Sequence, residues 1–453
     1  MVCAGYKMIR RARSLLASYA INLAKTGEVP LPSNLTTDDF TEGMLDNSNY
    51  LDRASLSGTE MKNYSSGALA QNATRSKPAR KPPVSETGLK ASEPLLVDKL
   101  PCQKVPDHYK PCNKPSLPQD MILVPENKHR TELDMDGARE TAEKRECLIN
   151  LIRNGTGSEN PQIWAALHAL VSFAEVPLKH VGFIPVVPEP ITLRPVVRHC
   201  LTNFQSICRH LAQDVLPLWA DEGVFCIIAD IYLHEPDTFK DIFPCMVPFH
   251  WCRILLRCAG KLLRGTGIDD AVVECEIFGP VVVESALNGS HYVRALTGML
   301  IVEDVVMRMA RKAVWDVKSK EDYPVLTELL DLSAKLQKKE QCSQLFDSQV
   351  FKVDTLHDDF KKFMKEAEEK SELCEYLGVW LKIVAVIKNN VASEREGNWN
   401  LHVAVTGDSI PIFTDDPLEH GWVEQFGMLL PDKHLKALSE NVLKTCLCQK
   451  SCD

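Results

Sequence analysis

No stretch of about twenty uncharged apolar residues occurs in the 453-residue chain, so no segment has the length that a membrane-crossing helix needs. The most apolar runs are broken by Glu274, Glu276, Glu284, Glu303 and Asp304, or by the prolines of VGFIPVVPEPITL. The first residues, MVCAGYKMIRRARSLLASYAINLAK, hold no uninterrupted apolar core ahead of a small-residue cleavage site. Secretion is therefore not expected, and the 16 cysteines read as reduced thiols rather than a disulfide framework. The sequons at Asn34, Asn63, Asn72, Asn154 and Asn288 then carry no weight for glycosylation. The expected setting is intracellular, nuclear or cytoplasmic, with no membrane partner.

Glycine is present but forms no nucleotide fingerprint. In GKLLRGTG the lysine follows the first glycine and no Gly-Lys-Ser/Thr closes the loop, so Gly265 and Gly267 read as a helix stop. No repeat of 20 to 50 residues stands out. A broadly basic surface is missing as well: residues 1–130 hold 18 Lys+Arg against 13 Asp+Glu, and the remainder 34 against 48, a net of +5 and −14. An acidic body gives phosphates few cations to meet, which counts against strong non-specific nucleic-acid binding.

What remains is a chain of about two or three domains' length with 45% apolar residues. Helical spacing of Ile9, Leu15, Leu16, Tyr19, Ile21 and Leu23 predicts an amphipathic helix over residues 6–25. Residues 1–58 are expected to hold this helix and a first core segment. Residues 59–135, rich in Ser, Lys, Pro and Asn and poor in aromatics, are expected to be a disordered or loosely held linker. Residues 136–315 are expected to form an α/β core. It opens with helices in DGARETAEKRECLINLIRN and WAALHALVSF, followed by buried strands in GVFCIIADIYL and FPCMVPF and helices over 251–263 and 290–314. Residues 316–453 read as a helical module, through LTELLDLSAKLQKK, LHDDFKKFMKEAEEK and ELCEYLGVWLKIVAVIKNN, with a truncated C-terminal end.

Several residues invite a chemical reading. Asp221 and Glu222 precede an apolar run, where acids most often cap a turn. Asp230 lies inside that run, and a buried carboxylate needs a partner or a raised pKa. Cys245, His250 and Cys252, with Cys226 and Cys258 nearby, are zinc's preferred ligand types, but their spacing fits no paired-ligand knuckle and buried thiols explain them more simply. Cys446, Cys448 and Cys452 in the tail are equally weak as metal ligands, and KPARKPP is too sparse for a nuclear signal. Trp399 and His402 in EREGNWNLH suit base stacking or substrate seating, or a turn that packs Trp399 under the helices.

Together the opening helix through VPLPSNL, MLDNSNYLDRASLSG, KPPVSETG, residues 200–315 and EREGNWNLHVA resemble a mobile-element-associated family of animal proteins with an RNase H-like, transposase-related core. The resemblance covers about half of the chain. It implies a mixed α/β fold, an RNase H-like sheet with helices, extended by a mainly helical C-terminal module. Asp46 and Asn47 match the family's first motif, whereas Asn49 and Tyr50 replace its second acid and histidine. Asp221 and Phe225 match a second block, and Phe249 and His250 a third, in which Val247 and Pro248 stand where a glycine is usual. Arg395, Gly397, Asn398, Trp399, Leu401 and His402 match a fourth.

Phosphodiester chemistry in such a core needs carboxylates converging on Mg²⁺. The resemblance implies Asp46 and Asp221 as two of them. Asp230, Glu394 or Glu396 are candidates for the third, with His250, Trp399 and His402 as substrate-binding residues. Three functions follow. The preferred one is a transposon-derived protein with a degenerate site, acting without cofactor as a protein-interaction or nucleic-acid-associated module. The second is an active Mg²⁺-dependent nuclease or transposase using Asp46, Asp221 and Glu396. The third is a helical scaffold, tied to GVFCIIADIYL being helical.

Overall fold

Gly43 and Gly67 stand on neighbouring strands, and a Cβ on either one would come within 3.0 Å of the Phe204 ring. That seat organises one half of the protein. The computed structural model describes residues 31–32, 35–36, 39–52, 60–72, 135–155, 179–187, 189–235, 237–317 and 354–414. Among these the chain divides into two units, one holding the residues up to 72 and 179–247, the other holding 135–155 and 248–414.

The first unit is built on a five-stranded mixed sheet. Its strands are β1 (Thr41–Asp52), β2 (Glu60–Asn72), β3 (Lys179–Phe183), β4 (Leu216–Ala220) and β5 (Ile242–Met246), in the order β3-β2-β1-β4-β5. β1 and β2 form a long antiparallel ladder from Thr41↔Gln71 to Asp52↔Glu60, and β3 continues it antiparallel. β4 runs parallel to β1 through Gly43↔Leu218, Met44↔Trp219 and Leu45↔Ala220, and β5 runs parallel to β4. β2 alone therefore opposes the other four.

Helix α1 (Met135–Gly155) belongs to the other unit, and the sheet is accompanied by α2 (Arg194–His210) and α3 (Glu222–His234). α2 repeats apolar residues at i, i+3, i+4 and i+7, burying Val197, Cys200, Leu201 and Phe204. Phe204 fits between β1 and β2 because both strands offer glycine there. Two residues before Gly43, at the start of β1, Gln71 Nε2 donates to Thr41 Oγ1 at 2.8 Å, and Gln213 accepts from Thr41 N at 3.1 Å while donating to Thr41 O at 2.9 Å. The buried amide of Gln71 and the half-buried amide of Gln213 fix the register of β1 against β2 and against the chain entering β4.

The second unit is helical. It holds α1 with α4 (Pro248–Leu263), α5 (Ile268–Glu274), α6 (Val283–Leu287), α7 (Tyr292–Val317), α8 (Asp354–Lys370), α9 (Glu372–Glu396) and α10 (Trp399–Thr414). α9 is its axis, packing on α4, α8 and α10, with Trp380, Ile383, Val384 and Ile387 buried at helical spacing. Ser371 caps its start by accepting from Cys374 N, and Gly397 ends it in the left-handed region at φ 61°. α4 and α6 meet through Gly260, where a Cβ would collide with the Leu287 carbonyl oxygen.

The expected mixed α/β fold is present, as are helices in DGARETAEKRECLINLIRN, LHDDFKKFMKEAEEK and ELCEYLGVWLKIVAVIKNN. Three expectations are corrected. GVFCIIADIYL is α3 and not a strand: Asp221 accepts from Val224 N at 2.8 Å and starts a helix, and the strand is the preceding LPLWA. FPCMVPF contributes only Phe243 to Met246 to β5, and Phe249 and the following His250 already belong to the first turn of α4. The linker expected over 59–135 does not begin there, because Glu60–Asn72 is β2, a strand of small residues such as Ser65, Gly67, Ala68 and Ala70 that composition alone reads as unstructured. The sheet also excludes the purely helical scaffold, although GVFCIIADIYL is helical. The N-terminal amphipathic helix, WAALHALVSF, LTELLDLSAKLQKK, KPARKPP and the cysteine tail lie outside the described residues.

Gly260→Ala is expected to destabilise the helical unit by about 3 kcal/mol through backbone collision. Gly265→Ala meets open space and carries only the left-handed strain of φ 70°, about 1 kcal/mol. Urea unfolding of the two variants, followed by circular dichroism, measures the difference.

Candidate functional site

Parallel pairing of β1 and β4 ends at Leu45↔Ala220, so the next residue on each strand is Asp46 and Asp221. The ladder stops there: Asp46 continues β1, whereas Asp221 leaves it as the cap of α3, so the two aspartates directly follow the last paired residues of adjacent parallel strands. The place itself is chemically apt: connections leave β1 and β4 toward opposite edges of the sheet, and ligands of open α/β sheets collect beyond the carboxyl ends of strands at such a switch point.

Each carboxylate has one local bond. Asp46 is exposed and its Oδ1 accepts from Asn47 N at 2.7 Å. Asp221 is half-buried and its Oδ1 caps α3 through Val224 N. One oxygen of each aspartate thus stays uncommitted among the described residues. Ser48, Asn49 and Tyr50 continue β1 in sequence, with side chains outside the described set.

Asp230 does not join them, and the other expected site residues belong to the helical unit. Asp230 lies on α3, nine residues and about 13 Å along the axis from Asp221, and it forms an ion pair with Arg194 of α2. Glu396 belongs to the helical unit, where Arg145 holds it at 2.7 Å. Glu394 pairs with His402 Nδ1 at 2.8 Å. His250 stands in the first turn of α4 with Phe249 edge-on at 5.2 Å between centroids, and its buried Nδ1 has no hydrogen-bond partner among the described residues. Among the described residues, no group of three or more His, Cys, Asp or Glu side chains is arranged to hold a metal, and Cys245, Cys252 and Cys258 are buried thiols. Burial pushes the Cys252 thiol up to about 11 and raises that of Cys245 well above its ordinary value.

EREGNWNLH is a helix junction. Gly397 terminates α9, Asn398 caps α10 by accepting from Leu401 N at 3.1 Å, and Leu401 is buried against Ala392 and Val405. Trp399 stacks on His402 with centroids 5.4 Å apart and planes 21° apart. Each idiosyncratic residue of the block thus has a folding role.

Beside that junction lies a feature that residue spacing did not single out. Lys388 of α9 is buried, donating to Glu146 of α1 and, at 3.1 Å, to Glu303 of α7. Burial alone pulls the lysine's pKa down, and the two carboxylates more than offset it, so it stays charged. Burial raises the Glu303 carboxyl against the pull of Lys388, and it lowers the nearby Arg311. Lys388, Glu146, Arg145 and Glu396 line a cavity of about 50 Å³, room for a water or two and far short of a nucleotide. The available signal was a lysine four residues after Val384 and eight after Trp380, on the apolar face of its own helix.

The architecture is thus that of a mixed α/β sheet unit joined in one chain to a helical unit. Residues 164–416, more than half of the chain, match the model of a domain of unknown function (DUF8702), and the chain belongs to that family. No curated protein and no solved structure matches it. Among the described residues, no helix is long and apolar enough to cross a membrane.

Lys388→Met leaves Glu303 buried and uncompensated and is expected to cost about 3–5 kcal/mol, much of it recovered by adding Glu303→Gln; urea unfolding of the single and double variants reads this. A second expectation concerns acid. His357, with Lys361, holds the Glu143 carboxyl down at about 2 from an ordinary 4.5. Its stabilising contribution is present above the ordinary value and lost as pH falls from 4.5 through about 2. Glu143→Gln should flatten the stability profile in that window, modestly because the group is partly exposed.

Proposed function

We propose that this is a mobile-element-derived protein whose RNase H-like core has kept two acids and lost the remainder of its site, and that it serves as an interaction module without turnover. The observation that carries the reading is that Asp46 and Asp221 directly follow the last paired residues of two adjacent parallel strands, while Asp230, Glu394 and Glu396 are each engaged by a cation or histidine. The strand order β3-β2-β1-β4-β5, with β2 alone reversed and α3 linking β4 to β5, supports the RNase H-like part, since it is the order and sense of such a sheet. Of the two kinds of partner, protein is the better supported. The net −14 of residues 131–453 disfavours a phosphate backbone.

Two carboxylates do not fit a two-cation clamp, which needs bridging ligands for both metals. They do suit a single Mg²⁺ completed by waters and substrate phosphates, which favours the second reading, a Mg²⁺-dependent nuclease, to this extent.

Calorimetric titration of the full chain with MgCl₂ and MnCl₂ separates the two. Asp221→Asn is the control of choice, because asparagine caps a helix as well as aspartate and leaves α3 intact. No saturable heat at millimolar metal and no nicking of duplex or single-stranded DNA is the expected result. Saturable binding abolished by Asp221→Asn and by Asp46→Asn, together with metal-dependent cleavage, would replace the proposal with the nuclease.

A further inference from the structure

Helix α1 is separated in chain order from the helices it packs against. β2 precedes it and β3 follows it, both strands of the sheet unit, whereas α7, α8, α9 and α10 lie between residues 292 and 414. The domain model covers those four helices whole and leaves α1 out.

What holds α1 in place is mostly charge. Arg139 holds Asp408 of α10 through two hydrogen bonds of 2.9 and 2.8 Å, Lys144 pairs with Asp354 of α8 at 2.9 Å, and Arg145 pairs with Glu396 of α9 at 2.7 Å. Glu143 meets His357 and Lys361 of α8, and Glu146 meets Lys388 of α9. The apolar part is smaller: Ala138 and Ala142 lie on the cluster of Ala392, Leu401 and Val405, and Leu148 and Ile149 are buried further along. The cavity of about 50 Å³ lies in this same contact, with Ala142 and Ile149 on one side and Ala392 and Leu401 on the other, so α1 does not fill the groove it occupies.

Several of these charges have a second partner on their own side. Within α1, Arg139 also bonds Asp136 at 2.7 Å, Lys144 bonds Glu140 at 2.6 Å, and Glu146 accepts from Asn150 at 2.9 Å. In the groove, Lys388 keeps Glu303 at 3.1 Å, while the side chains of Asp408, Asp354 and Lys361 are 34%, 48% and 55% exposed and already meet water. Separation therefore strands few buried charges, and a stranded charge is what ordinarily locks a buried ion pair in place. α1 also spans 21 residues, longer than the ~12–15 below which an isolated helix is marginal, and its own i,i+3 and i,i+4 ion pairs support it.

We propose that α1 is a detachable ligand of the groove formed by α7, α8, α9 and α10: it leaves as an intact helix while those four stay folded, and the vacated groove accepts a helix with the same pattern of small residues and charges. This goes beyond the reading of the sheet and holds whether or not Asp46 and Asp221 bind metal.

Hydrogen exchange on the full chain, read by mass spectrometry, tests the release. Amides of α1 are expected to exchange at least tenfold faster than those of α9 from Trp380 to Ile387, and equal protection of the two helices would overturn the proposal. The groove is tested with a labelled peptide of residues 135–155, followed by fluorescence anisotropy against the wild-type chain and against Ala138→Glu/Ala142→Glu, which sets two charges against the apolar cluster and unseats the tethered helix. The variant should bind the peptide at least tenfold more tightly than wild type, because the tethered helix no longer competes at its high local concentration, and its α9 amides should stay protected. A peptide carrying Arg139→Glu, Arg145→Glu and Glu146→Lys should bind at least tenfold more weakly. Loss of α9 protection in the variant, no binding of the peptide to it, or equal binding of both peptides would make α1 part of the unit's fold rather than its ligand, and the proposal would fail.

Discussion

Three residue pairs, Gly43 to Leu45 against Leu218 to Ala220, join the hairpin half of the sheet to its crossover half. Everything in the first unit depends on this short parallel seam. It is held from one side by Phe204, which enters only because Gly43 and Gly67 lack a side chain, and from the end by the amides of Gln71 and Gln213 on Thr41. A slip of one residue would turn Leu45 out of the core and move Asp46 away from Asp221, since strand faces alternate with period two. The candidate site is therefore tied to packing: the two aspartates directly follow Leu45 and Ala220, the last pair of the seam.

The helical unit follows a different logic. Its centre contains charge as well as hydrocarbon, with Lys388, Glu146, Glu303 and Arg311 meeting where α1, α7 and α9 come together. Such a cluster contributes little net stability over an apolar one, because desolvation offsets the attraction. What it supplies is selectivity of packing, since any other rotation of these helices leaves charges unpaired.

Much of the helical unit was legible in the sequence because its helices carry long amphipathic periods, as in α8 and α9. The sheet was less so. β4 is five residues between a loop and a helix, and the apolar run after it, GVFCIIADIYL, has the length and β-branched content of a buried strand; only the capping aspartate at its head marks a helix start. β2 was missed because small and polar residues fill it, its burial being set by partners far away in sequence. Of the site residues, Asp46 and Asp221 were named from resemblance, and the register places each directly after the last paired residue of its strand. Asp230 and Glu396 looked like further acids because sequence shows charge without showing its partner, and Arg194 and Arg145 lie 36 and 251 residues away.

Asp221 serves two masters. Its carboxylate starts α3 by accepting the Val224 amide, a task independent of any reaction. A lineage that abandoned phosphodiester chemistry would still lose a helix start by replacing it with most other side chains, whereas Asp46, bonded only to its neighbour's amide, has no comparable hold on the fold. Decay of such a centre is expected to be uneven, with the acid that folds the protein outlasting the acid that only reacts.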